Sequence, residues 1–226
     1  MKKLIAFLIA WLLLVGVANG QNKRIDLSGT WKFAFDRQHT VKPDDVLTET
    51  IELPGTTDTN KKGDISDKRD ETTHLTRRYS YKGRAWYQHE VEIPAAWKGQ
   101  NVYLFMERSK PSEVYVDGKL IGSCNDISTP QVFKIGTKLR SGRHVLSVMV
   151  DNGSGVPEQL YASSHAYTED TQTNWNGIIG EIYLTTQQPL TAVAPKTVHP
   201  NFRNFHIKGQ HFFANGHVIF LRGKQI

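Results

Sequence analysis

The side chains able to do chemistry are numerous in this 226-residue chain, but their spacing forms no familiar catalytic motif. The nine histidines are scattered, with no His-Glu-x-x-His and no Cys/His pairs, so we expect neither a metal site nor a cofactor. There is no phosphate-binding glycine loop and no Gly-x-Ser-x-Gly nucleophile elbow. These patterns argue against a metalloenzyme, a P-loop protein and a serine hydrolase of the α/β class.

The chain has one cysteine, Cys124, so no intrachain disulfide can form. Nothing around it resembles a motif that would activate a thiolate, and we expect a small buried hydrophobe rather than a nucleophile. An exported animal domain of this size would usually carry disulfides. The cysteine content therefore fits a bacterial envelope compartment better.

The first twenty residues have the pattern of a signal peptide. Lys2 and Lys3 form a basic start, residues 4–17 are apolar, and Ala18-Asn19-Gly20 supplies small residues before Gln21. The apolar run is too short and wrongly flanked for a membrane span, and no other segment is apolar enough to cross a bilayer. The sequence therefore predicts a chain exported to the periplasm or the medium of a bacterium.

Positive charge is concentrated in residues 61–84, which contain eight basic and four acidic residues. The whole chain has a formal net charge of +6. Such a segment could attract an acidic glycan or a nucleic acid. The acidic residues are interleaved with the basic ones, and no motif of aromatic and basic residues repeats. We therefore expect a solvated loop and no nucleic-acid partner.

The elements that must position any site are β-strands, because the dominant hydrophobic period is two. Residues 31–35 and 88–93 alternate between core and solvent types, whereas residues 101–106 and 143–150 are apolar enough for central strands. Asp117-Gly118 between short apolar runs predicts a hairpin. Strands at spacings of roughly 8–12 residues predict an all-β, antiparallel β-sandwich, interrupted by a long polar loop over about residues 56–78.

The last residues predict a further hairpin, because Asn215-Gly216 lies between two apolar runs. Pro195 and Pro200 mark a short linker before it. A hairpin alone is marginally stable in water. Two interpretations remain open: the hairpin docks on the body of the domain, or it is the truncated start of a further domain, which we favour.

Several segments, taken in order, resemble the N-terminal sugar-binding domain of glycoside hydrolase family 2, the β-galactosidase and β-glucuronidase group. Each motif is short, but their common order over residues 25–186 is specific. The matching segments are residues 27–33, 53–55, 85–94, 97–104, 112–122, 142–148 and 175–184.

The resemblance implies a jelly-roll, galactose-binding-like β-sandwich over residues 21–190, followed over residues 191–226 by a linker and the start of the next domain. In the family, the two catalytic glutamates lie in an (α/β)8 barrel, so no catalytic residue is expected among these 226. The implied function is the non-catalytic sugar-binding part of a hydrolase of O-glycosyl bonds, with a glycan and its own catalytic domain as partners. A free-standing carbohydrate-binding module is the alternative.

In full-length relatives, a loop before the closing strand reaches the active site and lends an acidic residue to it. The corresponding segment here is residues 169–175. The resemblance makes Asp170 and Asn174 candidates for contacts with sugar hydroxyls, and Trp175 a stacking or packing aromatic. A loop held by its own side-chain hydrogen bonds, with Trp175 in the core, is the other interpretation.

Overall fold

A computed structural model describes residues 23–65, 77–137, 139–154, 157–164, 167, 174–189, 205–209, 211–214 and 217–219. The chain forms two compact units, Met1–Pro189 and Leu190–Ile226. The predicted signal peptide lies outside the described residues, as do residues 66–76 of the polar loop.

The first unit is an antiparallel β-sandwich of two sheets, whose strands are numbered along the chain. The first sheet contains β1 (Arg24–Asp26), β4 (Gly55–Thr56), β8 (Val102–Ser109), β11 (Gln131–Gly136) and β13 (Gly177–Thr185). Its order is β1-β13-β8-β11, with β4 also paired to β13. The predicted all-β, jelly-roll sandwich is confirmed.

The second sheet has six strands in the order β10-β9-β12-β7-β2-β3. They are β2 (Gly29–Asp36), β3 (Glu49–Leu53), β7 (Arg84–Ile93), β9 (Ser112–Val116), β10 (Lys119–Cys124) and β12 (Gly142–Asp151). Every pair in it is antiparallel. The unit also has a 3-10 turn at Ala95–Trp97 and a short helix, α1, at Glu158–Ser163.

The alternation seen in the sequence sets which face of each strand is buried. Trp31 and Phe33 of β2 are buried while Lys32 between them is exposed, and Val91 and Ile93 of β7 are buried beside exposed neighbours. The more apolar segments are interior strands: β8 lies between β13 and β11, and β12 lies between β9 and β7. Both predictions from periodicity are confirmed.

One apolar cluster fills the first unit and draws on strands of both sheets. Leu104 and Met106 of β8 are fully buried with Tyr87 of β7, Val148 of β12 and Ile178 of β13. Burying such side chains contributes about 1.5–3 kcal/mol each to folding. The core is therefore what holds the two sheets, and the loops at their ends, in place.

The predicted hairpin around Asp117-Gly118 is confirmed. Strands β9 and β10 pair with Lys119 opposite Val116, and the two turn residues have φ of 49° and 73°. These are the left-handed values that a two-residue type I′ turn needs, which aspartate and glycine supply readily.

The described residues in and beside the predicted polar loop include one short pair of strands. Strand β5 (Asp64–Ile65) pairs antiparallel with β6 (Tyr79–Ser80). In the second unit, β14 (Phe205–Lys208), β15 (His211–Ala214) and β16 (His217–Ile219) form an antiparallel sheet in that order. The pairing of β15 with β16 agrees with the predicted terminal hairpin, whose turn residues 215–216 lie outside the described part.

Candidate functional site

Asn174 and Trp175, two of the residues predicted to bind sugar, lie just before β13, at one end of the sandwich. Three other segments meet there: residues 109–112 between β8 and β9, residues 81–84 before β7, and residues 151–154 at the end of β12. The Ser109 hydroxyl donates to the carbonyl of Gly177 at 2.9 Å. The backbone N–H of Asp151 donates to the carbonyl of Pro111 at 2.8 Å. Hydrogen bonds across these segments therefore fix the geometry of this end.

Asn174, one of the predicted sugar contacts, is buried and exchanges two hydrogen bonds with Asn152. The Asn174 amide nitrogen donates to the carbonyl oxygen of Asn152 at 2.9 Å, and the Asn152 amide donates back to Asn174 Oδ1 at 3.3 Å. Only 1% of Asn174 is exposed. In this arrangement its side chain fixes the backbone that leads into Trp175, while the predicted hydroxyl contact stays a prediction.

Asn176 is a neighbouring residue that the sequence analysis missed. Its amide nitrogen donates to the carbonyls of Gly83 and Val150 at 2.9 and 3.1 Å and lies 3.2 Å from Asn152 Oδ1. Its side-chain oxygen accepts from the hydroxyl of Tyr87 at 2.7 Å. The available signal was the recurrence of asparagine at the strand ends, at positions 152, 174 and 176.

Burial keeps the tyrosines of this network in their protonated, hydrogen-bond-donating form. Desolvation raises the pKa of Tyr87 well above its usual value near 10, and it raises the pKa of Tyr81 to about 12. The Tyr81 hydroxyl donates to the carbonyl of Arg84. Both phenols therefore act as structural donors.

Trp175 is half-buried and packs beside a lysine that the sequence analysis did not single out. The Nζ of Lys110 lies 4.8 Å from the centroid of the Trp175 ring and 4.2 Å from that of Tyr167. Lys110 is 1% exposed and Tyr167 is 2% exposed. Cation–π contacts of this kind are strongest when the cation is desolvated. Asp170, the remaining predicted contact, lies outside the described residues.

A polar depression of about 440 Å³ opens beside this end, on the second sheet. Arg84 and Asp151 line it, and Arg84 Nε lies 3.3 Å from Asp151 Oδ2. Cys124 also lines it; this free thiol packs against the core but is half-buried, less buried than expected. The depression can accept hydroxyl-bearing ligands through these carboxylate, guanidinium and serine groups.

Within the described ranges, no group of three or more His, Cys, Asp or Glu residues is placed to hold a metal ion. In the same part of the chain, no helix has both the length and the apolar character that a membrane crossing requires.

Comparison with protein families matches residues 25–188 to the sugar binding domain of glycosyl hydrolases family 2. A comparison with curated proteins gives no match.

Among solved structures, the chain is similar to three β-glucuronidases. For the Faecalibacterium prausnitzii enzyme, identity is 24% and the TM-score 0.50, with 76% of this chain and 33% of the other covered. For a calcium-binding mutant of Bacteroides uniformis β-glucuronidase 2, identity is 24% and the TM-score 0.52, with 72% of this chain and 18% of the other covered. For the Ruminococcus gnavus enzyme in complex with uronic deoxynojirimycin, identity is 16% and the TM-score 0.52, with 74% of this chain and 29% of the other covered. At these identities the likeness concerns the fold, and the chain spans a third or less of each relative.

Proposed function

Since the chain belongs to glycosyl hydrolases family 2 through its sugar-binding domain, we propose that it is the non-catalytic, sugar-binding part of a β-glycosidase. Glycoside hydrolysis requires two carboxyl groups held about 5–9.5 Å apart on a rigid scaffold. The resemblance gives both groups to a barrel domain, so residues 21–190 supply substrate contacts and a docking partner for that barrel. Residues 191–226 lead toward it.

The observation that carries the proposal is the construction of the sandwich end around Trp175. Its backbone is held by the Asn152–Asn174 pair, and its ring is packed against Lys110. A half-buried aromatic ring on a fixed backbone is suited to stack on the apolar face of a sugar, with polar groups beside it for the hydroxyls. We propose Trp175 as the stacking residue and Asp170 as a hydroxyl contact. A direct contact between Asn174 and a sugar hydroxyl requires Asn174 to give up one of its hydrogen bonds to Asn152.

The similar structures support a substrate class by analogy. The three neighbours named above are β-glucuronidases. We propose a β-linked glycan as substrate of the whole enzyme, with β-glucuronides and β-galactosides as the first to compare. The leader pattern of residues 1–20 supports export, and we propose action in the periplasm or outside the cell.

Release of 4-nitrophenol from 4-nitrophenyl β-D-glucuronide and β-D-galactoside tests the proposal. We expect no release by the purified 226-residue chain, and release of at least one of the two by the product of the complete natural reading frame. Turnover by the 226-residue chain itself would overturn the non-catalytic assignment. A Trp175→Ala variant of the longer product should raise KM more than it lowers kcat, because stacking binds substrate and transition state alike.

A free-standing carbohydrate-binding module is the second candidate. The polar depression lined by Arg84 and Asp151 favours it, because a site formed within the sandwich needs no barrel. Isothermal titration of the 226-residue chain with oligosaccharides separates the two candidates. Saturable binding without any partner domain favours the module, whereas no binding favours a domain that functions only with its barrel.

A further inference from the structure

Lys110 lies in an unusual place for a lysine. It belongs to the turn between β8 and β9, and 1% of it is exposed. Lysine is almost never fully buried unless it is paired. Two aromatic rings, those of Tyr167 and Trp175, lie within 5 Å of its ammonium group, at 4.2 and 4.8 Å. The charge and the two rings are therefore one packing unit.

The backbone that carries Lys110 is fixed by buried hydrogen bonds. The carbonyl of Lys110 accepts from the Gln131 amide at 3.0 Å, and Gln131 Oε1 accepts from the Ser112 hydroxyl at 2.6 Å. On the preceding residue, the Ser109 hydroxyl bonds to the carbonyl of Gly177. Gln131, Ser109 and Ser112 are all buried. The ammonium therefore extends from a part of the sandwich that has little freedom to move.

We propose that Lys110 is a positioning residue that fixes the orientation of the Trp175 ring for sugar binding; this proposal rests on the proposed function. An ammonium over one face of an indole is attracted by its quadrupole, most strongly when water is excluded. That face is then occupied, so a sugar can reach only the opposite face or the ring edge. Lys110 therefore decides which surface of Trp175 is presented.

The indole N–H resonance of Trp175 in a 15N-labelled chain tests the positioning without any ligand. Its assignment comes from its loss in Trp175→Phe. Lys110→Met keeps the apolar stem and removes the charge, and should displace or broaden this resonance, while Lys110→Arg should largely restore it. The resonances of Trp31 and Trp86 should stay in place, because their N–H groups bond to Leu27 and Asp36. An unchanged Trp175 resonance in Lys110→Met overturns the proposal.

A second pair of variants covers the case in which Lys110→Met does not fold. Tyr167→Leu removes the other ring from the ammonium, whereas Tyr167→Phe keeps the aromatic face. The proposal predicts that Tyr167→Leu displaces the Trp175 resonance and that Tyr167→Phe does not. Equal displacement by both variants, or by neither, overturns it.

Binding of methyl β-D-glucuronide and methyl β-D-galactoside, measured by calorimetry on the full chain, adds the functional readout. Lys110→Met should raise Kd about tenfold or more, and Lys110→Arg should stay within about threefold of the wild type. Arg24→Met is the control, because that guanidinium lies 3.7 Å from the Tyr183 ring on the partly exposed side of the first sheet. If the wild type binds a sugar and Lys110→Met binds it with an equal Kd, the proposed role of Lys110 is overturned while the proposed function stands. If the wild type binds neither sugar, the result favours a domain that functions only with its barrel, and the indole resonance alone decides the positioning role.

Discussion

The hydroxyl of Tyr87 donates a hydrogen bond to the side-chain oxygen of Asn176 at 2.7 Å, and both residues are fully buried. Tyr87 lies in β7, in the second sheet, and Asn176 directly precedes β13, in the first. The same asparagine donates to the carbonyls of Gly83 and Val150. One amide side chain thus joins both sheets at the end of the sandwich where Trp175 lies.

Removing the Tyr87 hydroxyl should destabilise the fold. In Tyr87→Phe the buried oxygen of Asn176 loses its donor, and we expect the free energy of unfolding to fall by about 1–3 kcal/mol. Urea denaturation measures the change. Tyr115→Phe is the matched control, because its partner Glu113 is partly exposed and can turn to water, so its loss should stay below about 1 kcal/mol. Equal losses in the two variants would contradict the proposed importance of the buried bond.

Alanine at Gly177 should be much more damaging than alanine at Gly142. Both glycines have positive φ, of 150° and 113°. A Cβ at Gly177 would lie 2.3 Å from the carbonyl oxygen of Gly55, whereas one at Gly142 would meet no atom within 4 Å. We expect Gly142→Ala to cost about 1–2 kcal/mol from backbone strain, and Gly177→Ala to cost about 3 kcal/mol or to prevent folding. Thermal unfolding compares them, and similar melting temperatures would contradict the close approach of β4 to β13.

Asp36 should hold the loop that follows β2. Its buried carboxylate accepts from the indole N–H of Trp86 at 3.2 Å and from the backbone N–H groups of Thr40 and Val41 at 2.7 and 3.2 Å. Hydrogen bonds to a charged group contribute about 1.5–3 kcal/mol each, so Asp36→Ala should lower the free energy of unfolding by at least about 2 kcal/mol. The exposed Asp44→Ala should change it by less than about 0.5 kcal/mol. Chemical denaturation of both variants checks the difference.

The contact between His144 and Asp117 should make stability depend on pH. Burial alone lowers the pKa of His144, but the hydrogen bonds that its ring donates to Asp117 and to the Arg140 carbonyl, with the charge of Asp117, raise it on balance. Burial alone raises the pKa of Asp117, but the Val145 N–H and His144 lower it on balance. The Nδ1–Oδ2 distance is 2.7 Å.

A raised histidine pKa contributes stability that is fully present below its unfolded value and is lost as pH rises through the folded one. A lowered aspartate pKa contributes stability that is present above its unfolded value and is lost as pH falls. The pair should therefore stabilise the fold most between about pH 4 and 6.5. Above that range the contribution of His144 is lost, and below it the contribution of Asp117 is lost. His144→Gln should destabilise the chain more at about pH 5.5 than at about pH 8.5 in urea titrations. A pH-independent loss in His144→Gln would contradict the assignment.

The fold could be predicted from the sequence because two local signals agreed. Alternation placed Trp31 and Phe33 in the core, and Asp117-Gly118 supplied the turn that joins β9 to β10. The short pair β5–β6 was missed, because two-residue strands carry no periodicity. Strand β14 (Phe205–Lys208) was not predicted as a strand distinct from the terminal hairpin, because only its pairing with β15 makes it a strand.

The candidate site could be predicted only in part. The resemblance indicated the segment before β13, but not Asn176 or Lys110, whose roles depend on residues far away in the sequence. Asn176 contacts Tyr87, which lies 89 positions away in the sequence. A lysine in a polar turn is normally expected to be exposed to solvent. Long-range contacts of this kind leave no local pattern in the sequence.

The most direct test of the central claim, that this sandwich serves a β-glycosidase, is to sequence the gene through and beyond codon 226. We expect coding sequence for an (α/β)8 barrel with two catalytic glutamates, in frame or one shift away. A confirmed stop with no barrel downstream would contradict the claim and leave the carbohydrate-binding module as the function to pursue.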